Sequence, residues 1–427
     1  MIEKYINLKA SILFLVEHRM IKKLSEIERE RGFFDRRHDL NSVMPVVREI
    51  ITTVKKRGDD ALREYTLKFD SVRLDEIEVS EEEKEAAKAS ADSELKLYIG
   101  EALNRIRNFH HRQKKAAWVE RFAEGVYIGE LYRPFEVVGA YVPAAYFSTA
   151  LMCVTPAKVA GVRDIIVCSP PGKNGNLEPL TLYAAELAGA TRIFKVGGAQ
   201  AIAALAFGTE SIPKVEKIVG PGNLYVTAAK MLVREYVEID FPAGPSEVLI
   251  IADASANPDF IAADMLAQAE HGINSRAVLI TDSRRIAEEV EREIGSDSER
   301  ETQNWIILAS NIEECIEFAN MYAPEHLAIM VSNPFEVLKR VKNAGSVFIG
   351  DYTPVAAGDY ATGANHVLPT AGYANIFSGL DVAHFMHRIT VQHMDKSALE
   401  RLRDVVVRLS RAEGMERHAH SIEVRFR

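Results

Sequence analysis

Cysteine is scarce in this chain: three residues in 427, Cys153, Cys168 and Cys315. They are too few and too widely spaced for a disulfide framework or a cysteine-based zinc motif, so a reducing cytoplasmic setting is expected. Long apolar runs are missing too. The N-terminal run from Ser11 to Val16 is far short of the roughly 18 residues of a membrane span. Glu17-His18-Arg19 follows it, where a signal peptide would have a small-residue cleavage site. The run reads as the buried face of a helix, and no membrane partner is expected. Positive charge is not in excess either. Lys and Arg number 52 against 61 Asp and Glu, a net charge of −9, which points away from nucleic acid. Without an HExxH motif, a zincin-type hydrolase has no support.

What remains is an ordinary globular composition, 47% hydrophobic and 26% charged, which excludes a disordered or collagen-like chain. Residues 1 to about 115 read as helical. Apolar spacing through Val47, Ile50, Ile51 and Val54, then Ala61, Leu62 and Tyr65, gives two helices parted at Gly58. From about residue 135 short apolar strands alternate with helices. The strands centre on Phe135–Val142, Asp164–Cys168, Ile193–Val196 and Lys217–Val219. A second set follows at Val248–Ile251, Ala277–Thr281, Trp305–Leu308, Leu327–Val331 and Ser346–Ile349. Continuous apolar strands separated by helices belong to parallel sheets covered on both faces. The expected fold class is therefore α/β, with two doubly wound, incomplete Rossmann-like units and helical extensions at both ends. After residue 352 the regularity stops in a Gly-, Ala- and Thr-rich stretch, and a helical tail follows.

Several short motifs can carry chemistry. Gln268 and His271 are three residues apart on one helix face and can seat a divalent cation, although a helix end capped by Gly272 is the commoner meaning of such a pentapeptide. Glu325-His326 can divide acid–base work, but the pair precedes its strand, so the carboxyl-end rule for parallel sheets does not place it in a cleft. Asp359 and His366 share one loop. His418 and His420 sit near the C-terminus and are either chelating or merely exposed. Gly197-Gly198-Ala199-Gln200 and Gly220-Pro221-Gly222-Asn223 each follow a strand and open a helix, which aims backbone N–H groups at an anion; neither is a GxGxxG fingerprint. Ser246 lies where the two α/β sets join and has no evident His–Asp relay. Cys153 sits among apolar neighbours and reads as an inert core thiol.

Taken in order, GGAQ (197–200), GPGN (220–223), PAGPS (242–246), QAEHG (268–272), PEHL (324–327), GDY (358–360), NHVLPT (365–370) and Glu413-Gly414 with His418 resemble the histidinol dehydrogenase family from about residue 55 to the end. That resemblance implies zinc-dependent, NAD-linked oxidation of L-histidinol to L-histidine through L-histidinal, a step of histidine biosynthesis. It implies one Zn2+ per subunit on Gln268, His271, Asp359 and His418. It makes His326 the base for the alcohol proton and Glu325 the group that activates water. Ser246, His366 and Glu413 would hold the substrate, joined by Gln268, His271, His326, Asp359 and His418. Tyr141, Gln200 and Asn223 would contact NAD. It also implies a homodimer in which Glu413 and His418 reach the partner's site.

The domain division that follows is a helical extension over 1–36, a metal-bearing catalytic unit over 37–140 plus 247–385, an NAD-binding unit over 141–246 and a helical tail over 386–427. One departure stands out: where the family carries a glycine pair after Tyr-Val-Pro, this chain has Ala144-Ala145. The rivals are a related zinc/NAD dehydrogenase of another amino or hydroxy alcohol, a metal-dependent hydrolase and a zinc-stabilised binding module. The two glycine turns after parallel strands argue against the hydrolase.

Overall fold

The computed structural model describes residues 20–30, 32–36, 39–272, 274–295 and 303–427. The Ser11–Val16 run lies outside the described residues. In chain order, β1 (Ile21–Lys23) and α1 (Leu24–Ile27) lead to four helices: α2 (Met44–Arg57), α3 (Asp59–Asp70), α4 (Glu81–Ser90) and α5 (Ser93–Gln113). A hairpin follows, β2 (Trp118–Ala123) and β3 (Val126–Pro134). The first α/β unit comprises β4 (Val137–Tyr141), α6 (Phe147–Ala160), β5 (Asp164–Cys168), α7 (Pro179–Ala188), β6 (Arg192–Phe194), α8 (Gly198–Phe207), β7 (Lys217–Val219), α9 (Leu224–Val233) and β8 (Glu238–Ile239). The second comprises β9 (Glu247–Ala252), α10 (Pro258–Ala269), β10 (Arg276–Thr281), α11 (Arg284–Gly295), β11 (Gln303–Leu308), α12 (Ile312–Tyr322), β12 (His326–Met330), α13 (Pro334–Leu338) and β13 (Ser346–Ile349). Last come α14 (Val355–Tyr360), β14 (Met386–Met394), α15 (Lys396–Ala412) and α16 (Glu416–Glu423).

Both large sheets are parallel. The first runs β6-β5-β4-β7-β8 and the second β11-β10-β9-β12-β13, with β1 added beyond β11. Numbered within each unit, both orders are 3-2-1-4-5, so the two halves repeat one topology without repeating a sequence motif. Alternate residues of each strand feed opposite faces. Val138, Ala140, Ile165 and Val167 enter one core with α5, α6 and α7, while Ile166 and Cys168 enter another with α2, α3, α8 and α9. In the second sheet Val248 and Ile250 pack toward α10 and α11, and Leu249 and Ile251 toward α12 and Phe33. Side chains of this size stabilise by roughly 1.5–3 kcal/mol each when fully buried.

Three features differ from the sequence reading. The N-terminal segment is not wholly helical: Ile21–Lys23 extends the second sheet as an edge strand on β11. The tail from residue 386 begins with a strand, not a helix, because β14 pairs antiparallel with β3 along its whole length. Helices α2 to α5 pack on the first sheet's cores, through Val47, Ile50, Leu62, Ile99 and Leu103. They therefore sit on the first sheet and not on the second, and β4 lies in the middle of that first sheet; α5 also packs on the later stretch that holds Val367, Leu380, Val382 and Phe385.

The two units are joined by the connector 240–246, seven residues from the carboxyl end of β8 to the amino end of β9. So short a link brings the carboxyl edge of the first sheet up to the amino edge of the second. Two backbone features mark the first of these edges. Gly220, after β7, has φ +112°, and a Cβ there would meet the Tyr141 carbonyl oxygen at 2.1 Å. Ala145, within the alanine pair that stands where glycines were expected, has φ +64°. Gly220→Ala should lose stability by more than the roughly 1–3 kcal/mol of backbone strain alone. Ala145→Gly should gain about 0.5–1 kcal/mol, the left-handed penalty exceeding glycine's extra unfolded-state entropy. Chemical denaturation of the two variants checks both signs.

Candidate functional site

A cleft of about 410 Å³ lies where the two sheet edges face each other. Pro143 after β4, Gly220–Asn223 after β7 and Asp240–Gly244 after β8 form the first wall. Ser246 before β9, His271 before β10 and Glu325-His326 at the start of β12 form the second, and Asp359, His366 and Thr370 close it. The carboxyl-end rule left the place of Glu325-His326 open, and the structure puts the pair in the cleft. The pair does precede its strand, but the second sheet presents its amino edge, not its carboxyl edge, to the site.

The walls differ in electrostatic character. In a parallel unit each helix runs against its strands, so helix N-termini gather at the carboxyl edge and helix C-termini at the amino edge. The cleft thus has the N-termini of α6 and α9 on the first wall and the C-termini of α10 and α12 on the second. The first polarity suits an anion and the second a cation. The Asn223 side-chain oxygen accepts from the Tyr225 and Val226 N–H groups at 3.0 and 3.1 Å, which caps α9. The Lys230 ammonium pairs with Asp240 and donates to the Gly220 carbonyl, and Asp240 accepts from the Gly220 N–H. This buried group pins the glycine turn to the end of β8.

Glu325 and His326 are both buried. Glu325 Oε2 accepts from the Ser246 hydroxyl at 2.8 Å and from the Glu247 N–H at 2.9 Å. Burial pushes its carboxyl well above the usual carboxylate range, and those two donors pull the other way. His326 Nδ1 lies 3.0 Å from the Glu247 carbonyl oxygen. A carbonyl only accepts, so Nδ1 carries the proton and Nε2 keeps its lone pair. Nε2 has no hydrogen-bond partner and stands 3.9 Å from Asp359. Burial lowers His326 to about 4, against the opposing pull of Asp359, so the ring is a neutral acceptor across neutrality. His366 is fixed in the same way, Nδ1 donating to the Asp359 carbonyl at 3.0 Å and Nε2 accepting from Thr149 at 3.2 Å. Burial lowers its affinity for a proton as well.

The remaining expected residues divide. Gln268, in the last turn of α10, is buried with its Nε2 unpartnered. Tyr141 and Gln200 are buried beside the cleft and do not line it. The Tyr141 hydroxyl accepts from the Gly198 N–H at 3.2 Å, and burial pushes it up to about 12. Gln200 Oε1 has no partner. Glu413 and His418 are exposed, on the helical tail, and neither lines the cleft. Among the described residues no three His, Cys, Asp or Glu side chains gather where a metal could sit. The sequence reading missed Thr149, Thr370, Lys230, Asp240 and Glu247. The partners that place them at the cleft lie from 10 positions away, for Lys230 and Gly220, to 217, for Thr149 and His366, so no local pattern announces them. The three cysteines are free and buried, and burial raises every thiol, which disfavours the reactive thiolate at all three.

The Glu325 shift has a consequence for stability. Its folded affinity for a proton exceeds the unfolded one, so ionisation is penalised only in the folded state. The penalty is absent below the unfolded value and grows as pH rises from there toward the folded one. Glu325→Gln in metal-free protein should therefore raise the melting temperature, and the gain should widen from pH 4.5 upward. Melting scans across that range check it; a gain that shrinks with pH would contradict the burial account.

The comparisons with known proteins agree with one another. The family model described as histidinol dehydrogenase matches residues 35–426. A histidinol dehydrogenase of Methanosarcina barkeri is 48% identical, covering 95% of this chain and 98% of its own. One from Methanocaldococcus jannaschii is 47% identical with the same two coverages. The crystal structure of histidinol dehydrogenase from Elizabethkingia anophelis superposes with a TM-score of 0.90 at 40% identity, over 96% of this chain and 98% of that one. By sequence and by fold, the chain belongs to the histidinol dehydrogenase family of NAD-dependent oxidoreductases.

Proposed function

We propose that the chain oxidises L-histidinol to L-histidine through L-histidinal, with one zinc ion per subunit and two NAD. The observation that carries this reading is the buried pair Glu325-His326, a carboxyl and a neutral imidazole held by the same residue at the cation-favouring edge of the cleft. The residues present fit the metal by donor type: Gln268, buried in the last turn of α10, would offer its side-chain oxygen, and His271 and Asp359 line the cleft at the end of α10 and on α14. Those three leave the set short, and His418 of the partner subunit completes it in this reading. Zinc held there supplies Lewis acidity and a fixed seat for the substrate. In this reading Tyr141, Gln200 and Asn223 would hold NAD, which would supply the hydride acceptor.

The chain's own groups do the proton work. His326 Nε2 takes the alcohol proton; the Glu247 carbonyl holds the ring in the required tautomer. Glu325 handles the proton of the water that hydrates the aldehyde, a task suited to a carboxyl that burial raises above the usual carboxylate range. Ser246, His366 and Glu413 orient the substrate. A homodimer is part of the proposal, because Glu413 and His418 do not reach this chain's own cleft. A reducing cytoplasm suits three free cysteines. No helix among the described residues is long and apolar enough to cross a membrane.

The direct test is NADH formation. Two NADH per histidinol, lost on chelation and restored by zinc, is the expected result. Failure of folded, zinc-loaded enzyme on histidinol would move the reading to another amino or hydroxy alcohol. The shared site has its own test. Asp359→Ala and His418→Ala should each be inactive, and refolding them together should restore roughly a quarter of wild-type activity. That follows because half the dimers are mixed and each mixed dimer holds one intact site. His420→Ala should keep its zinc.

A further inference from the structure

Arg36 belongs to the N-terminal segment, outside both α/β units in sequence, yet its side chain is 5% exposed. Its guanidinium pairs with the carboxylate of Glu247, itself 4% exposed, and donates to the Tyr322 carbonyl oxygen. It also lies over the Tyr322 ring, 3.4 Å from the centroid. These partners are the first residue of β9 and the last of α12. They flank the catalytic pair: the Glu247 backbone holds both Glu325 and His326, and Glu325 follows Tyr322 by three positions. The turn between them includes Ala323 at φ +49°, a left-handed conformation that a residue with a Cβ adopts only when its surroundings hold it there. A buried ion pair is a poor source of net stability, since desolvating both charges offsets their attraction. The consequence of this one is geometric. The planar guanidinium fork ties the two strand-entry segments together at one point.

We propose that Arg36 is a positioning residue for the reaction: by clamping Glu247 to Tyr322 it sets the place of Glu325 and the tautomer of His326. It lines no part of the cleft and acts through Glu247 and Tyr322. The proposal rests on the reading of Glu325 and His326 as the acid–base pair. A small displacement of such groups lowers turnover on the order of 100-fold without weakening substrate binding.

Arg36→Met, compared with wild type and Arg36→Lys as zinc-loaded full-length enzyme, tests it. The expected result is a kcat lower on the order of 100-fold, with KM for histidinol and NAD and the zinc content unchanged. Arg36→Lys should fall between, keeping the charge and losing the fork. Nitrogen NMR of the histidine rings gives a readout independent of turnover: wild type should show His326 protonated at Nδ1 alone, and Arg36→Met a mixture of tautomers. If Arg36→Met does not fold, the Lys variant carries both readouts. Unchanged kcat and an unchanged His326 signal in the folded variant would overturn the proposal, as would a lower melting temperature with wild-type kcat. If wild type fails to oxidise histidinol but the His326 signal still responds to Arg36→Met, the functional reading falls and the positioning role stands.

Discussion

The connector 240–246 is the constraint on which the site depends. It passes from the carboxyl end of one parallel sheet to the amino end of the next in seven residues. The two sheets share the order 3-2-1-4-5 and would each, alone, offer a ligand crevice at the carboxyl edge. The link gives that role to the first sheet only. The second contributes its opposite edge, and with it the negative ends of α10 and α12. One cleft thus has a wall suited to phosphate and a wall suited to a cation, without a dense cluster of charged side chains. Among the described residues no Lys or Arg lines the cleft; the N-terminal ends of α6 and α9 give the first wall its positive potential.

Burial then tunes the chemistry. Glu325 and His326 are neighbours in sequence, yet the same desolvation moves them in opposite senses, raising the carboxyl and lowering the imidazole. Both shifts favour the neutral forms, which a closed site between two cores can hold without a counter-charge. Glu247 supplies the order. Its N–H fixes one member and its C=O the other, so a single peptide segment at the start of β9 aligns both.

The doubly wound character was legible because buried parallel strands have to be apolar on both faces, as Val248–Ile251 and Ile165–Cys168 are. The split at Gly58 was legible because the periodicity breaks there. The β2–β3–β14 sheet was not. Its residues are largely exposed, so they lack the apolar signal, and β14 finds β3 across some 250 residues. The motif residues of the site were legible one at a time. That Glu325-His326 would occupy a cleft was not, because it depends on which sheet edge faces which. Thr149 and Glu247 were hidden for a related reason: each acts through a residue far along the chain.

The measurement that bears most directly on this account is anomalous diffraction at the zinc edge from crystals grown with zinc and NAD. A cation wall and an anion wall on opposite sides of one cleft predict one metal peak per subunit among Gln268, His271 and Asp359, with the cofactor's phosphates across the cleft at the turns after β4 and β7. A metal seated instead at the carboxyl edge of the second sheet, or phosphates on the wall of α10 and α12, would contradict it.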